Sequence, residues 1–167
     1  SYTELSAGEV TATNILTRLL RLSQLTGGFI GSDDGGKIEQ VSDAKLKALE
    51  DILESSIQEG HKLVVIARFI PEIHAICRLL EKKNIGYACI YGATKDRQEQ
   101  VHRFQYDPDC MVFVGQIATT GIGITLTAAS TMVFYSLDYS MSNFEQTKAR
   151  IHRVRQKNGC TYIYLIA

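Results

Sequence analysis

The chain has 167 residues, of which 45% are hydrophobic, and its 18 basic and 18 acidic side chains give a formal net charge of +0. This composition indicates one folded domain with a sizeable apolar core and excludes a disordered chain. Zero net charge argues against a uniformly basic surface that coats nucleic acid, so any phosphate contacts are expected to be local. No apolar run approaches the roughly 20 residues that cross a bilayer, and no signal peptide is recognisable, so an intracellular location in cytoplasm, nucleoid or nucleus is expected.

The four cysteines lie far apart in the sequence and form no CxxC pair. Zinc sites and small disulfide-linked domains depend on closely spaced cysteines, so reduced core thiols and no metal site are expected. The sequence begins at Ser1, without a methionine and just before a helical pattern. A fragment of a longer polypeptide is therefore expected, and the isolated chain is expected to be monomeric because nothing in it indicates an obligate assembly.

Residues 1–41 are expected to lead into the main domain. Apolar residues recur at helical spacing from Val10 to Leu25, which predicts an amphipathic helix that Gly27 and Gly28 end. Two short segments, Phe29–Ile30 and Lys37–Val41, flank a stretch of serine, aspartate and glycine, and this pattern predicts a hairpin with an exposed tip.

Residues 42–167 are expected to form the main domain. Ser42 is a suitable N-cap for a helix that ends at Gly60. The strands predicted after it are Leu63–Ala67, Tyr87–Tyr91, Met111–Val114, Met132–Tyr135 and Tyr162–Ile166. The helices predicted between them are Pro71–Lys83, Lys95–Phe104, a short one near Thr119, and Asn143–Arg155 with a Ser142–Glu145 capping box. Because wholly apolar strands are typical of a sheet covered on both faces, this alternation predicts a three-layer α/β domain with a mostly parallel sheet.

Ligands of open α/β sheets bind beyond the carboxyl ends of the strands, so the residues that follow each strand are the candidates for a site. Arg68 and Phe69 follow the first strand of the domain. Gly92 and Thr94 follow the second, where the glycine permits a tight turn and the threonine could cap a helix whose amides suit a phosphate. Taken alone, this second loop is more often an ordinary turn.

A third loop runs from Thr119 to Thr125. Its glycines, Gly121 and Gly123, allow a backbone to approach a ligand closely, and the hydroxyls of Thr119 and Thr120 line the same loop. By itself the loop fits a plain strand-to-helix connection equally well.

A polar stripe marks the last predicted helix. At about 100° per residue, Gln146, Arg150 and Arg153 fall on one side of it, opposite a mostly apolar side. Two arginines at this spacing can clamp a phosphate with planar, permanently charged groups. A basic helix face that only meets solvent is the alternative interpretation.

Taken in order, these segments resemble the motifs of the Swi/Snf-like branch of superfamily 2, the DNA-translocating ATPases related to helicases. Residues 146–156 match QxxxRxHRxxQ, which is similar to the sixth motif, and residues 121–129 resemble the fifth, which usually reads GLGINLTAA. The other matches are Val64–Phe69 with the fourth motif, Tyr91–Thr94 and Arg97 with the segment after it, Tyr135–Ser140 with a segment holding a tyrosine and an aspartate, and Leu20–Gln24 with Gly28–Phe29 at the lead into the second motor domain.

The chain departs from the family pattern at three places. Arg155 replaces a common glycine, Thr125 replaces the usual asparagine, and Ala67–Phe69 stands where serine, glutamine and phenylalanine are typical. None of these changes removes the two arginines of the sixth motif, although they bear on the detailed DNA contacts.

The resemblance implies a RecA-like fold and the second, C-terminal lobe of a two-lobe motor. It implies that ATP and Mg are held mainly by an N-terminal lobe of the same polypeptide, whose GxxxxGK[ST] motif is absent from these 167 residues, so this chain alone is expected to be inactive. Arg150 and Arg153 would be arginine fingers that Gln146 orients, and Gly121, Gly123 and Asp138 would lie at the nucleotide. Double-stranded DNA would be gripped through its backbone by Arg68, Gly92, Thr94, Thr119 and Thr120.

Two alternatives stay open at this point. The lobe could be a binding or regulatory module in which no hydrolysis is completed, or it could belong to a helicase that acts on RNA or single-stranded DNA.

Overall fold

A computed structural model describes residues 29–30, 39–40, 43–120, 123–137, 140–152 and 156–165. The helix predicted between Val10 and Leu25 lies outside these residues. Strands β1 (Phe29–Ile30) and β2 (Glu39–Gln40) pair antiparallel, as expected for the predicted hairpin.

The main sheet has five strands, and all of them are parallel. They are β3 (Lys62–Ala67), β4 (Gly86–Ile90), β5 (Cys110–Gln116), β6 (Ala129–Phe134) and β7 (Thr161–Tyr164), in the spatial order β4-β5-β3-β6-β7. The helices are α1 (Ala44–Gln58), α2 (Ile70–Lys82), α3 (Arg97–Tyr106), α4 (Ile117–Thr120) and α5 (Met141–Lys148). The predicted α/β fold with a parallel central sheet is confirmed.

Helices cover both faces of this sheet because successive side chains of a strand point to opposite sides. In β3, Val64 and Ile66 belong to one buried cluster, together with Phe104 of α3. Leu63 and Val65 belong to the other, which the apolar faces of α1 and α2 complete. A strand that is buried on both sides is therefore apolar at every position, which is the pattern that the sequence shows.

Helix α1 ends as the sequence predicts. Gly60 has φ +74, a left-handed backbone that glycine adopts without strain, and its N–H donates to Ile57 O at 2.9 Å. The predicted start of the same helix is one residue too early, because the N-cap position is Asp43 and not Ser42. Ser42 itself lies outside the described residues.

The last helix is shorter than predicted. It spans Met141–Lys148 instead of Asn143–Arg155, and its N-cap is Ser140, whose Oγ accepts a hydrogen bond from the Asn143 N–H at 3.3 Å. Ser142 therefore does not start a capping box. Beyond the helix, the Arg150 carbonyl accepts from the Leu126 N–H at 3.0 Å, so a tertiary contact takes a carbonyl that a longer helix would need.

The cysteines are free thiols, as expected for a reduced protein. Cys110 is buried, whereas Cys77, Cys89 and Cys160 are half-buried, so only one of the four lies fully in the core. Within the described residues, no helix is long and apolar enough to cross a membrane.

Candidate functional site

A chain of hydrogen bonds joins the carboxyl ends of four neighbouring strands. It links Gly92 after β4, Gln116 at the end of β5, Arg68 after β3 and Ser136 after β6, in the spatial order of the strands. The Gly92 N–H donates to Gln116 Oε1 at 3.2 Å, and Gln116 Nε2 donates to Arg68 O at 3.3 Å. The Arg68 N–H then donates to Ser136 Oγ at 2.7 Å. We call these four residues the rim chain.

A buried carboxylate anchors one end of the rim chain. The Ser136 hydroxyl donates to Glu72 Oε2 at 2.5 Å, and the Phe69 N–H donates to the same oxygen at 3.2 Å. Glu72 is only 1% exposed, and burial raises the pKa of its carboxyl, while the hydrogen bonds from Ser136 and Phe69 oppose that rise. The loops after β3 and β6 are therefore tied to the first turn of α2.

Lys45 supports this buried region from α1. Its Nζ donates to Tyr135 O at 3.1 Å. Burial lowers the pKa of the Lys45 ammonium, and the nearby Glu72 carboxylate opposes that change. The side chain of Tyr135 is fully buried, and burial raises the pKa of its hydroxyl. These groups lie behind the rim, where they fix its geometry.

The two threonines of α4 fold back onto Gln116. The hydroxyls of Thr119 and Thr120 both donate to Gln116 O, at 3.1 and 2.7 Å. Thr119 is half-buried, but Thr120 is wholly buried, so the Thr120 hydroxyl faces the interior. Gly115 makes this arrangement possible, because a Cβ there would collide with Thr120 Oγ1.

Thr94 does not cap a helix, contrary to the sequence prediction. Its Oγ1 accepts from the Tyr91 N–H at 3.0 Å and closes a turn, while α3 begins later, with Asp96 at its N-cap position. Gly92 is exposed in this turn. Arg68 is half-buried, and its guanidinium lies over the Phe69 ring at 5.1 Å from the centroid. The five residues predicted for nucleic acid thus meet at one edge of the sheet, although Thr120 is directed inward.

A second group of predicted site residues surrounds Arg150. Arg150 Nε donates to Gln146 O at 3.0 Å, and Nη1 donates to Ile124 O at 3.4 Å. Gly123, directly before Ile124, has φ +68 and no atom within 4 Å of a would-be Cβ. Its left-handed backbone, and not a close approach, is therefore what favours glycine there. Arg153, Gly121 and Asp138 lie outside the described residues.

The Arg150 group is separate from the rim chain. The Phe144 ring lies 4.8 Å from that of Phe134, near the carboxyl end of β6, and Tyr162 Oη donates to Lys148 O at 3.2 Å near the start of β7. Helix α5 therefore runs antiparallel to the strands, and the Arg150 backbone lies toward their amino ends. This corrects the expectation that the arginine helix adjoins the carboxyl-end loops.

Gln156 fastens the segment that follows α5. Its Nε2 donates to Ala129 O at 2.7 Å, and to Thr127 O and Ile151 O at 3.2 Å. These bonds hold the segment against the amino end of β6 and so position the Arg150 turn.

Sequence reasoning gave no role to Gln116, Glu72 or Ser136. One signal for Glu72 was present, because it shares a helical face with Ile76 and Leu80, where a charged residue is unexpected. The signal for Gln116 is weaker: it is a polar residue that ends an otherwise apolar strand.

The described residues were also compared with what ATP and Mg would need. They include no group of three or more acidic, histidine or cysteine side chains placed to hold a metal ion. The Arg150 guanidinium fits a phosphate by its chemistry, because its planar N–H groups match phosphate oxygens.

Comparisons with known proteins agree with this architecture. A model of the helicase conserved C-terminal domain matches residues 44–155. The chain is 33% identical over 124 residues to the chromatin-remodeling ATPase INO80 of Gibberella zeae, covering 73% of this chain and 6% of that protein. It is 31% identical over 122 residues to the helicase SWR1 of Yarrowia lipolytica, covering 72% of this chain and 7% of that protein.

A solved structure, the C-terminal part of the Fun30 ATPase domain, superimposes with a TM-score of 0.69 at 23% identity. That match covers 73% of this chain and 40% of the solved chain, and at this identity it supports the fold alone. The chain spans only 6 to 7% of the length of the two curated relatives named above. Because the family model matches most of its residues, the chain belongs to the helicase conserved C-terminal domain family, as a second RecA-like lobe of the Swi/Snf-like branch of superfamily 2.

Proposed function

We propose that this chain is the C-terminal motor lobe of an ATP-dependent DNA translocase. Its relatives are named as ATPases and helicases, and an enzyme of that kind needs one surface for the nucleotide and another for nucleic acid. The observation that carries the proposal is the separation of two groups of residues, the rim chain around Arg68 and the α5 group around Arg150. One lobe can then meet a nucleotide and a DNA backbone at the same time.

The α5 group is assigned to the nucleotide. Arg150 and Arg153 would act as arginine fingers toward ATP and Mg that are held mainly on an N-terminal lobe of the same polypeptide. Two backbone carbonyls hold the Arg150 guanidinium in one orientation, and such preorganisation is what stabilisation of developing phosphate charge requires. Gln146 orients the finger through its carbonyl and Gly123 sets the position of Ile124, while Gly121 and Asp138 are assigned to the same side.

The rim is assigned to the phosphate backbone of double-stranded DNA. Arg68 supplies a positive charge there, and Thr94 and Thr119 supply hydroxyl groups. The Gly92 N–H is already bonded to Gln116, so the contribution of Gly92 is an open surface without a side chain. Buried Thr120 positions Gln116. Phosphate contacts carry no sequence information, which suits a motor that steps along any duplex inside the cell.

The arginine finger is tested in the full-length protein with duplex DNA present. Arg150→Ala is expected to lower the ATP turnover number on the order of 10³-fold or more, because the charge on the transferred phosphoryl group loses its partner. Arg150→Lys should recover little, since lysine lacks the planar fork. Binding of a fluorescent ATP analogue should survive in both variants.

The matched control is Arg78→Ala, which removes an exposed arginine of α2 and should leave turnover unchanged. Normal turnover in Arg150→Ala would refute the finger assignment. Stimulation of turnover by RNA or single strands, and not by duplex DNA, would refute the assigned substrate.

A further inference from the structure

We infer that Gln116 is a positioning residue that sets the spacing of the loops assigned to DNA, an inference that rests on the proposed function. Gln116 is the last residue of β5 and is half-buried. Both ends of its side-chain amide are used: Oε1 accepts from the Gly92 N–H at 3.2 Å, and Nε2 donates to Arg68 O at 3.3 Å. One side chain thus bridges the loops on either side of its own strand.

The strand register explains why a glutamine is suited to this position. Ala67 pairs with Gln116 in the β3–β5 ladder, and Ile90 pairs with Gly115 in the β4–β5 ladder, and both ladders end there. Beyond these pairs, main-chain hydrogen bonds no longer hold the strands about 4.8 Å apart. A side-chain amide has the same donor and acceptor as a peptide group, so Gln116 extends both ladders by one step into the loops.

Few other side chains can do this. Asparagine carries the same amide but is one methylene shorter, ionised glutamate offers only acceptors, and methionine has the length without the hydrogen bonds. The main chain of Gln116 is held as well, because the hydroxyls of Thr119 and Thr120 both donate to its carbonyl. Gln116 is therefore fixed from its own strand end and can impose its position on Arg68 and Gly92.

Arg68 is held from both sides. Gln116 binds its carbonyl, and Ser136, anchored by buried Glu72, accepts its N–H. Without the Gln116 bond, the loop after β3 keeps one anchor and gains freedom at the residue assigned to DNA. Loss of the bridge should therefore weaken DNA binding and leave the nucleotide chemistry at the distant Arg150 group intact.

The test uses the full-length protein and measures two quantities, the duplex concentration for half-maximal ATPase stimulation and the turnover number at saturating duplex. Gln116→Met should raise the half-maximal concentration about tenfold, since two hydrogen bonds are lost, and should change the turnover number less than twofold. In the double variant with Arg68→Ala, the two effects should combine to less than their product, because Gln116 acts through Arg68.

Gln105→Met is the matched control. Gln105 also bridges two groups with its amide, donating to Thr127 Oγ1 at 3.1 Å and accepting from the Ala128 N–H at 2.8 Å, but it does so before β6, at the opposite edge of the sheet. Its replacement should cost similar thermal stability and leave the half-maximal duplex concentration unchanged. Equal weakening by both variants would mean a merely structural role for Gln116 and would overturn the inference.

The failures of the two proposals are distinguishable. If Arg68→Ala leaves the half-maximal concentration unchanged, the assignment of the rim to DNA is wrong. If Arg68→Ala raises it and Gln116→Met does not, the inference about Gln116 alone is wrong. Should Gln116→Met not fold, amide exchange in the unaltered protein decides: the exposed Gly92 N–H should exchange slowly because Gln116 accepts it, and exchange at the rate of an unstructured peptide would overturn the inference.

Discussion

At the scale of single residues, Glu72 has the most unusual environment in the described part of the chain. It is buried to 1% exposure, and Ser136 and Phe69 both donate to one of its oxygens. Its other oxygen, Oε1, has no hydrogen-bond partner among the described residues, so the charged form gains less than full compensation for burial. Glu72 therefore stabilises the rim by geometry and opposes its own ionisation.

We expect Glu72 to make stability fall with rising pH. Burial places its folded-state pKa above the unfolded value near 4.5, so below that value both states are protonated and no penalty exists. As the pH rises through the folded-state pKa, the folded protein must ionise a buried group, and stability declines. Glu72→Gln should remove this decline. Urea unfolding from pH 4.5 to 7.5 would measure it, with exposed Glu99→Gln as control. A stability difference between Glu72→Gln and the parent that does not change with pH would contradict the expectation.

At the scale of elements, the edge strand β4 shows how side chains complete a sheet. Gln100 of α3 accepts from the Cys89 N–H at 3.2 Å and donates to Asp96 Oδ2 at 2.8 Å. A groove of about 560 Å³ runs beside this edge, between β4 and the start of α3. The amide of Gln100 thus occupies a main-chain donor that would otherwise be open to another strand.

Gln100→Leu is expected to promote self-association. The Cys89 N–H would lose its acceptor, and an unpaired edge donor is a template for strand pairing between molecules. Sedimentation velocity over a range of concentrations should show dimers or larger species in this variant. Gln98→Leu, which exposes the same apolar side chain elsewhere on α3, should remain monomeric. Association by Gln98→Leu to the same extent would mean that added surface hydrophobicity is the cause.

At the scale of the whole molecule, the lobe contributes two assigned surfaces but no phosphate-binding loop of its own. The sequence contains no GxxxxGK[ST], and the Arg150 group offers a guanidinium instead of a cradle of amides. The chemistry that we propose therefore depends on closure against a second lobe, which brings the triphosphate to the arginines.

The isolated 167-residue chain is accordingly expected not to hydrolyse ATP. Phosphate release should stay at the uncatalysed background with or without duplex DNA, whereas the full-length protein should turn ATP over. A coupled phosphate assay at saturating ATP measures both. Turnover by the isolated chain that Arg150→Ala abolishes would show a complete site within this lobe and would contradict the expectation.

The elements of the fold could be predicted from the sequence, because they depend on local patterns. Five apolar runs predicted the five strands of the main sheet, and their alternation with helices predicted parallel pairing. Gly60 predicted the end of α1, because a left-handed backbone favours glycine. The family could also be predicted, since its motifs are short and local.

The end of α5 could not be predicted in this way. Helical spacing continues past Lys148, but the Arg150 carbonyl is taken by Leu126 and the Ile151 carbonyl by Gln156, and no local pattern encodes these contacts. The predicted stripe of Gln146 and Arg150 on one continuous helix is therefore wrong in its geometry, although the two residues do meet.

By itself, then, the sequence determined the strands, most helices, the family and the residue types offered at each loop, since each depends on neighbours within a few positions. Only the tertiary structure decided that Gln116 bridges Arg68 and Gly92, that Glu72 anchors Ser136, and that the Arg150 group lies apart from the rim. The physical reason is strand register: a pair such as Ala67 and Gln116 is formed by segments far apart in the chain, and what a side chain meets beyond it depends on that pairing.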